Sequence, residues 1–425
     1  MEMVIAFVAL LALLFLRVPI AVATGVVGLV GLAWFQGWSP ALGQLGIIAS
    51  ETVLSYEFAV IPLFILMGNI ISRSGLAEEL YVATNALIGH YRGGLAITTI
   101  AASGGFSTFC GSSFATAATM SRIAYPPMKK FGYSDSLATG SIAAGGTLGI
   151  LIPPSIALVF YGIMTETDIG QLFVAGVLPG ILGVCLYVCA VLYVVHIRGE
   201  KSGLGKKASI KERFAAIGQL WAFSLLVLLV LGGIYMGFFT PTESAGVGAV
   251  GAIAVTLIRG KFKWSSLTGA LEETAYTTVS LIAILIGSLV FANLVNISDL
   301  PYHIVNWINS MDLSLLGVLV VILLIYFLLG AILESMSMML LTVPVFYPIV
   351  AEMGMDLVWF GIIVVVATEI SLITPPVGLN VFVLKSVISD VDIRTIFRGV
   401  MPFLVADLLR LALIVLFPII SLALI

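Results

Sequence analysis

Of 425 residues, 60% are apolar and 10% charged, with a mean hydropathy of +1.18 and a net charge of −3. These values exclude an ordinary soluble domain and leave no basic footprint for nucleic acid. What remains is an all-α polytopic protein of the lipid bilayer, since runs such as 221–239, 271–295 and 313–333 reach the roughly 20 residues that cross a ~30 Å hydrocarbon core.

In chain order, 3–16 and 18–35 come first, divided at Arg17 and Pro19. They cross as one long span or as two. No basic n-region precedes them and no cleavage site follows, so the segment is read as retained rather than as a signal peptide. Residues 40–50 and 76–91 read as interfacial, the latter because Ala77, Leu80, Ala83 and Leu87 oppose Glu78, Glu79, Asn85 and His90.

Residues 94–127 begin after Arg92 and end before Lys129, so both ends fall on the lysine- and arginine-rich side, which is cytoplasmic. The centre, Gly104-Gly105-Phe106-Ser107-Thr108-Phe109-Cys110-Gly111-Ser112-Ser113, is polar and glycine-rich. Two arms of about 15 residues span only ~22 Å at 1.5 Å per residue, short of the core. The segment reads as a re-entrant helical hairpin, its tip facing protein or water.

Next, 134–165 runs outward through Gly149-Ile150-Leu151-Ile152-Pro153-Pro154-Ser155, where the proline pair breaks the helix, and 171–197 returns. The polar loop that follows carries Arg198, Lys201, Lys206, Lys207, Lys211 and Arg213, all cytoplasmic. Spans 218–239 and 241–258 meet outside at Thr240-Pro241-Thr242-Glu243, and Arg259, Lys261 and Lys263 return the chain inside. No lysine or arginine then occurs before Lys385, whereas eight acids do, so the polar ends of 296–356 face outward. A second hairpin, 315–350, enters from that side with its tip at Glu334-Ser335-Met336-Ser337. A second broken helix carries Ser371-Leu372-Ile373-Thr374-Pro375-Pro376-Val377-Gly378, and 400–425 crosses last. The expected total is ten or eleven spans plus the two hairpins.

A shift of 222 residues aligns the halves without a gap from 112 to 168, placing Tyr125-Pro126 on Tyr347-Pro348, Pro153-Pro154 on Pro375-Pro376 and Asp168 on Asp390. Gly68 and Gly287 match at a slightly different offset. One hairpin opens inward and the other outward, so the repeats are inverted, and paired helix breaks in such halves point to the binding site of an alternating-access transporter.

Freed carbonyls and nearby hydroxyls at a break suit Na⁺, a hard cation, while half-helix N-termini suit a carboxylate. Around the first break the candidates are Ser103, Thr108, Gly111, Ser112, Gly145, Gly146, Thr147, Gly149 and Pro153. Around the second they are Gly330, Ser335, Ser337, Thr368, Thr374, Pro375, Gly378 and Asn380. Ser112, Ser155, Glu334 and Thr374 are the substrate candidates. Small residues at these positions also permit plain close packing of helices. Glu334 and Glu369 either shape ion or substrate binding or bond to backbone. Asp407 and Arg410, at i and i+3, read as a structural ion pair. Cys110, Cys185 and Cys189 supply neither a disulfide framework nor a zinc site. No HExxH, Walker loop, GxSxG motif or Cys/His cluster occurs, so the chain is read as neither an enzyme nor an ATPase.

Over essentially its whole length the chain resembles the large membrane subunit of a TRAP (tripartite ATP-independent periplasmic) transporter. The resemblance rests on Ile61-Pro62-Leu63-Phe64-Ile65-Leu66-Met67-Gly68-Asn69, on residues 145–155, on Phe239-Thr240-Pro241-Thr242-Glu243-Ser244-Ala245-Gly246, and on Thr374-Pro375-Pro376-Val377-Gly378-Leu379-Asn380. It implies an Na⁺-driven importer of organic acids, such as sialic acid or C4-dicarboxylates, in the bacterial inner membrane. It further implies a periplasmic substrate-binding protein and a small four-helix membrane subunit as partners, an elevator mechanism, and Na⁺ sites at the two clusters. On this chain the transport parts would be 94–197 and 313–425, and the scaffold 1–93 and 198–312. The rival is a one-component Na⁺/carboxylate symporter of related architecture. A passive channel or a membrane enzyme is the remaining alternative.

Overall fold

Prolines and glycines, more than polar loops, cut this apolar chain into helices. The computed structural model describes residues 2–205, 207–310 and 314–425, and among them only helices and turns occur. Lys206 and the 312/313 boundary lie outside the described residues.

The first half contains α1 (Glu2–Phe15), α2 (Ile20–Gln36), α3 (Trp38–Leu54), α4 (Val60–Arg73), α5 (Leu76–Ile88), α6 (Gly94–Cys110), α7 (Ser113–Lys130), α8 (Asp135–Thr147), α9 (Ile156–Thr165) and α10 (Ile169–His196). A polar stretch leads to α11 (Ile210–Gln219), then to α12 (Trp221–Val227), a π-helical turn Leu228–Gly232 and α13 (Gly233–Tyr235). The remainder comprises α14 (Pro241–Ile258), α15 (Trp264–Ile297), α16 (Leu300–Ser310), α17 (Leu315–Leu329), α18 (Ser335–Glu352), α19 (Leu357–Ser371), α20 (Leu379–Val387), α21 (Ile393–Leu416) and α22 (Ile419–Leu422).

Residues 3–35 form two helices rather than one, parting where Pro19 withholds its backbone donor. Among the described residues five helices are singly long and apolar enough to cross a membrane: α10, α14, α15, α18 and α21. Counting two bent pairs, Trp38–Leu54 with Glu57–Arg73 and Ile210–Gln219 with Trp221–Tyr235, raises the number to seven. Among the described residues, not all of the ten or eleven spans expected from the sequence are single long helices. The other apolar stretches form helices of 10–17 residues, at or below the lower end of the length that crosses the core singly.

Segment 76–91 differs from expectation in what covers it. Ala77, Leu80, Tyr81 and Ala83 are buried, and α5 packs on α6 and α11. Its apolar face is spent on protein, and an amphipathic pattern alone does not distinguish that from lipid.

The repeat reappears in the contacts. α2 packs along α15 as α14 packs along α4, and α8 packs on α21 as α10 packs on α19. The α2–α15 contact depends on absent side chains. A Cβ on Gly28 would stand 2.8 Å from the Phe291 backbone nitrogen, and Gly25 faces Gly287. Small residues let helix backbones approach without a hydrophobic driving force between them. Gly28→Val is expected to cost about 1–3 kcal/mol through overpacking, read as a lower thermal midpoint of the detergent-solubilised protein. Gly68, which the sequence pairs with Gly287, has a different neighbour: its α-carbon faces the Phe109 carbonyl of α6.

Candidate functional site

The two proline pairs lie in equivalent interruptions. The first follows α8 and comprises a 3₁₀ turn, Leu148–Ile150, and residues 151–155, before α9 begins. The second separates α19 from α20 over residues 372–378. Both Pro-Pro bonds, 153–154 and 375–376, are cis. Each break faces a helix pair that turns on itself: α6 and α7 pivot about Gly111 and Ser112, and α17 and α18 about residues 330–334. Gly111 adopts φ +62°, a left-handed conformation open to glycine at little cost.

The packing interlocks the halves. α6 and α7 hold α8, and α17 and α18 hold α19. Past each break the partner changes, so that α9 packs on α18 and α20 packs on α7. Each broken helix is thus gripped by its own helix pair before the break and by one helix of the other pair after it.

The helices that follow the turns and the first break share one device. Ser112 caps α7 by accepting the Ala115 amide, Ser155 caps α9 by accepting the Leu158 amide, and Glu334 caps α18 by accepting the Ser337 amide at 2.9 Å and its hydroxyl at 3.0 Å. Three of the four substrate candidates are therefore helix caps. Ser155 also donates to the Ile150 carbonyl. The fourth, Thr374, donates to the Ile370 carbonyl at 2.6 Å. The helix after the second break is different: α20 starts from Gly378 at φ +55° with no side-chain cap.

At the first break the structure brings Ser103 and Gly145 together; a Cβ on Gly145 would lie 2.8 Å from Ser103 Oγ. Gly146 faces the Ser113 carbonyl and Ala117. Pro153 and Pro154 are buried. Three further candidates have other neighbours. Thr108 returns its hydroxyl to the Gly104 carbonyl of its own helix, and Gly111 meets the Ile156 side chain. Thr147 turns toward Tyr187, with 3.3 Å between their oxygens.

The sequence reading missed Ser107. It lies against Gly149, where a Cβ would stand 2.6 Å from the Ser107 carbonyl carbon. Ser103 and Ser107 are both buried, and their hydroxyls have no partner among the described residues. Buried hydroxyls nearly always find a partner. Two such oxygens one turn apart on α6 leave this side of the first break with unmet polar capacity.

At the second break the contact is reversed. Gly330 of the helix pair lies against Ser371 of the broken helix, so serine and glycine have exchanged sides relative to Ser107 and Gly149. Ser335 and Ser337 are buried at the start of α18, and the Thr368 hydroxyl bonds the Val364 carbonyl within α19. Pro375 and Pro376 are exposed, unlike their buried counterparts. Asn380, grouped by sequence with this cluster, points elsewhere. Its amide donates to the Ala143 carbonyl of α8 at 3.4 Å while its Oδ1 is buried and unpartnered.

Between the breaks runs a second feature that spacing foretold only in part. Arg410 and Asp407 do pair, at 3.0 Å, but Arg410 also reaches Glu369 at 2.5 Å. All three side chains are 0% exposed. Tyr187 donates to Asp407 and stands beside Thr147. A buried polar path therefore joins α19 and α21 to α10 and the start of the first break. Glu369 thus holds an arginine.

At the edge of this body, a crevice of about 510 Å³ lies between α3 and α15 on one side and α9 and α18 on the other; Glu51, Thr52, Ser55, Asn293, Asn296 and Tyr347 supply its polar lining.

The sequence profile of the tripartite ATP-independent periplasmic transporter, DctM component, matches residues 7–420. The chain is 38% identical over 400 residues to the C4-dicarboxylate TRAP transporter large permease protein DctM of Pseudomonas aeruginosa, covering 93% of each. It is 32% identical over 365 residues to the sialic acid TRAP transporter large permease protein SiaM of Vibrio cholerae, covering 86% of this chain and 85% of the other. Among solved structures, the YdaH transporter of Alcanivorax borkumensis superposes with a TM-score of 0.65 at 14% identity, over 90% of this chain and 89% of that one. That likeness concerns the fold alone.

Proposed function

Because the chain belongs to the DctM component family of tripartite ATP-independent periplasmic transporters, and is a multi-pass membrane permease, we propose that it imports an organic acid by coupling the substrate's entry to Na⁺. The observation that carries this reading is the pair of buried, unpartnered hydroxyls, Ser103 and Ser107, beside a break whose prolines offer no backbone donors. A hard monovalent cation takes oxygen ligands of this kind, and in other secondary transporters the unwound backbone of broken helices supplies the rest. The second site would lie where Gly330 meets Ser371, near Thr374.

Relatives named for C4-dicarboxylates and for sialic acid have carboxylate in common, which suits the half-helix N-termini at these breaks. In this reading a periplasmic binding protein delivers the acid, and a small four-helix subunit completes the assembly in the bacterial inner membrane. The helix pairs and broken helices, 94–197 and 313–425, form the moving part. They slide against 1–93 and 198–312, with the crevice beside Asn293 and Tyr347 lying along their boundary. The interlocked packing of α9 on α18 and α20 on α7 favours movement of both halves as one body.

The test is uptake into proteoliposomes containing this chain, the small subunit and the binding protein, with a panel of carboxylates and an imposed Na⁺ gradient. Saturable uptake that needs Na⁺ and both partners is expected. Ser112→Leu is expected to remove it while leaving assembly intact. Uptake by this chain alone would favour a one-component symporter, and flux indifferent to the gradient would favour a channel.

A further inference from the structure

The stretch between α10 and the next membrane-crossing segment, read from sequence as a polar loop, contains α11, and that helix has a face with nothing on it. Ile210, Phe214, Ile217 and Trp221 are 74%, 72%, 44% and 43% exposed. Their spacing of i, i+4, i+7 and i+11 puts them in one stripe. The helix's one buried residue, Ala216, lies about 130° round from that stripe at 100° per residue, and α11 packs on α5. α5 therefore covers the other side.

We propose that this stripe is a membrane-surface anchor that seats α11 among anionic phospholipid headgroups, with Ile210, Phe214 and Ile217 in the acyl boundary.

Three observations fix the occupant as lipid of that charge. First, the stripe does not end with the helix. α11 bends by 43° into Trp221–Tyr235, and the exposed apolar line continues through Leu225 (45%) and Leu228 (70%) of that crossing segment. A surface continuous with the bilayer-facing side of a span meets the same bilayer.

Second, the charges flank the stripe. On the helical wheel exposed Lys211 stands about 90° to one side and Arg213, half-buried beside His90, about 70° to the other; Lys211 has the placement that lets a basic side chain snorkel upward from a half-submerged helix. Arg198, Lys201 and Lys207 add to them from the preceding stretch.

Third, neighbouring acids are already engaged. Glu200 accepts from Ser134, and Glu212 closes a capping box with Ser209, accepting its amide at 2.6 Å. Among the described residues none of the five basic side chains forms an ion pair with an acid. The local field is therefore positive and attracts negative headgroups.

The inference does not depend on what is transported or on which ion drives it. It is tested by hydrogen exchange of residues 209–221 in the full-length protein, reconstituted into phosphatidylcholine vesicles with and without phosphatidylglycerol. Phosphatidylglycerol is expected to slow exchange roughly tenfold or more, since two basic residues near an anionic surface add their attractions, and high salt should reverse the gain. Lys211→Gln with Arg213→Gln should lose that gain yet keep the phosphatidylcholine rate and the thermal midpoint. Phe214→Ser should speed exchange in both lipids. Equal rates in the two lipids would overturn the proposal. So would full protection by inorganic phosphate in phosphatidylcholine, which marks a free-anion site. Protection that appears only on adding the small subunit would likewise overturn it, and would assign the stripe to a protein partner.

Discussion

Replacing Arg410 with methionine is expected to destabilise the protein by about 3–5 kcal/mol, the usual cost of stripping one partner from a buried ion network. Arg410 is the only cation within reach of Glu369 at 2.5 Å and Asp407 at 3.0 Å among the described residues, and no side chain of the three is exposed. Methionine fills similar space, so the loss comes from two carboxylates left facing each other without a counter-charge. Thermal unfolding of the solubilised protein measures it. Adding Glu369→Gln and Asp407→Asn to the same chain removes the stranded charge and should recover most of the loss, because neutral buried groups cost far less than unpaired ions. An Arg410→Met protein with an unchanged midpoint would show that the three groups are already hydrated. Tyr187→Phe should do less harm, since it removes one hydrogen bond to Asp407 and no charge.

Gly149→Ser is expected to lower cation-dependent uptake about tenfold or more, matching an overpacking cost of about 1–3 kcal/mol. Ser107 already occupies the space a Cβ would need at position 149. The second half solves the same contact with the residues exchanged, Gly330 on the helix pair and Ser371 on the broken helix. The double variant Ser107→Gly, Gly149→Ser copies that solution and should restore uptake in large part. The readout is the Na⁺ concentration for half-maximal uptake, together with the thermal midpoint. If the double variant regains its midpoint but not its uptake, Ser107 serves the ion and not merely the packing. If Gly149→Ser leaves both unchanged, the close contact has no functional weight.

The breaks were legible because proline's missing donor acts wherever it falls: Pro153-Pro154 and Pro375-Pro376 mark the interruptions to within a few residues. The turns at Gly111-Ser112 and near Glu334 were legible for a related reason, since polar, glycine-rich sequence inside an apolar run is expensive unless it ends a helix. The Asp407–Arg410 pair followed from helical spacing. Its third member did not, because Glu369 reaches Arg410 only once α19 and α21 lie side by side, and no local pattern reports that. Ser107 is illegible locally for the same reason: its neighbour is Gly149 on another element. The direction of the Asn380 side chain is not legible locally, because a side chain on α20 can face either half; packing turns its amide toward Ala143. α11 was lost in its own charge, as lysines and arginines masked a four-residue apolar stripe.

The exchange of partners at each break means that the repeat is a unit of pattern and not a unit of folding. Severing the chain after α10 would leave α9 without α18 and α20 without α7. Neither fragment could then seat its own broken helix past the prolines. Duplication supplies the appearance of two modules, but as it stands each completes the other, like two hands clasped with the fingers crossed.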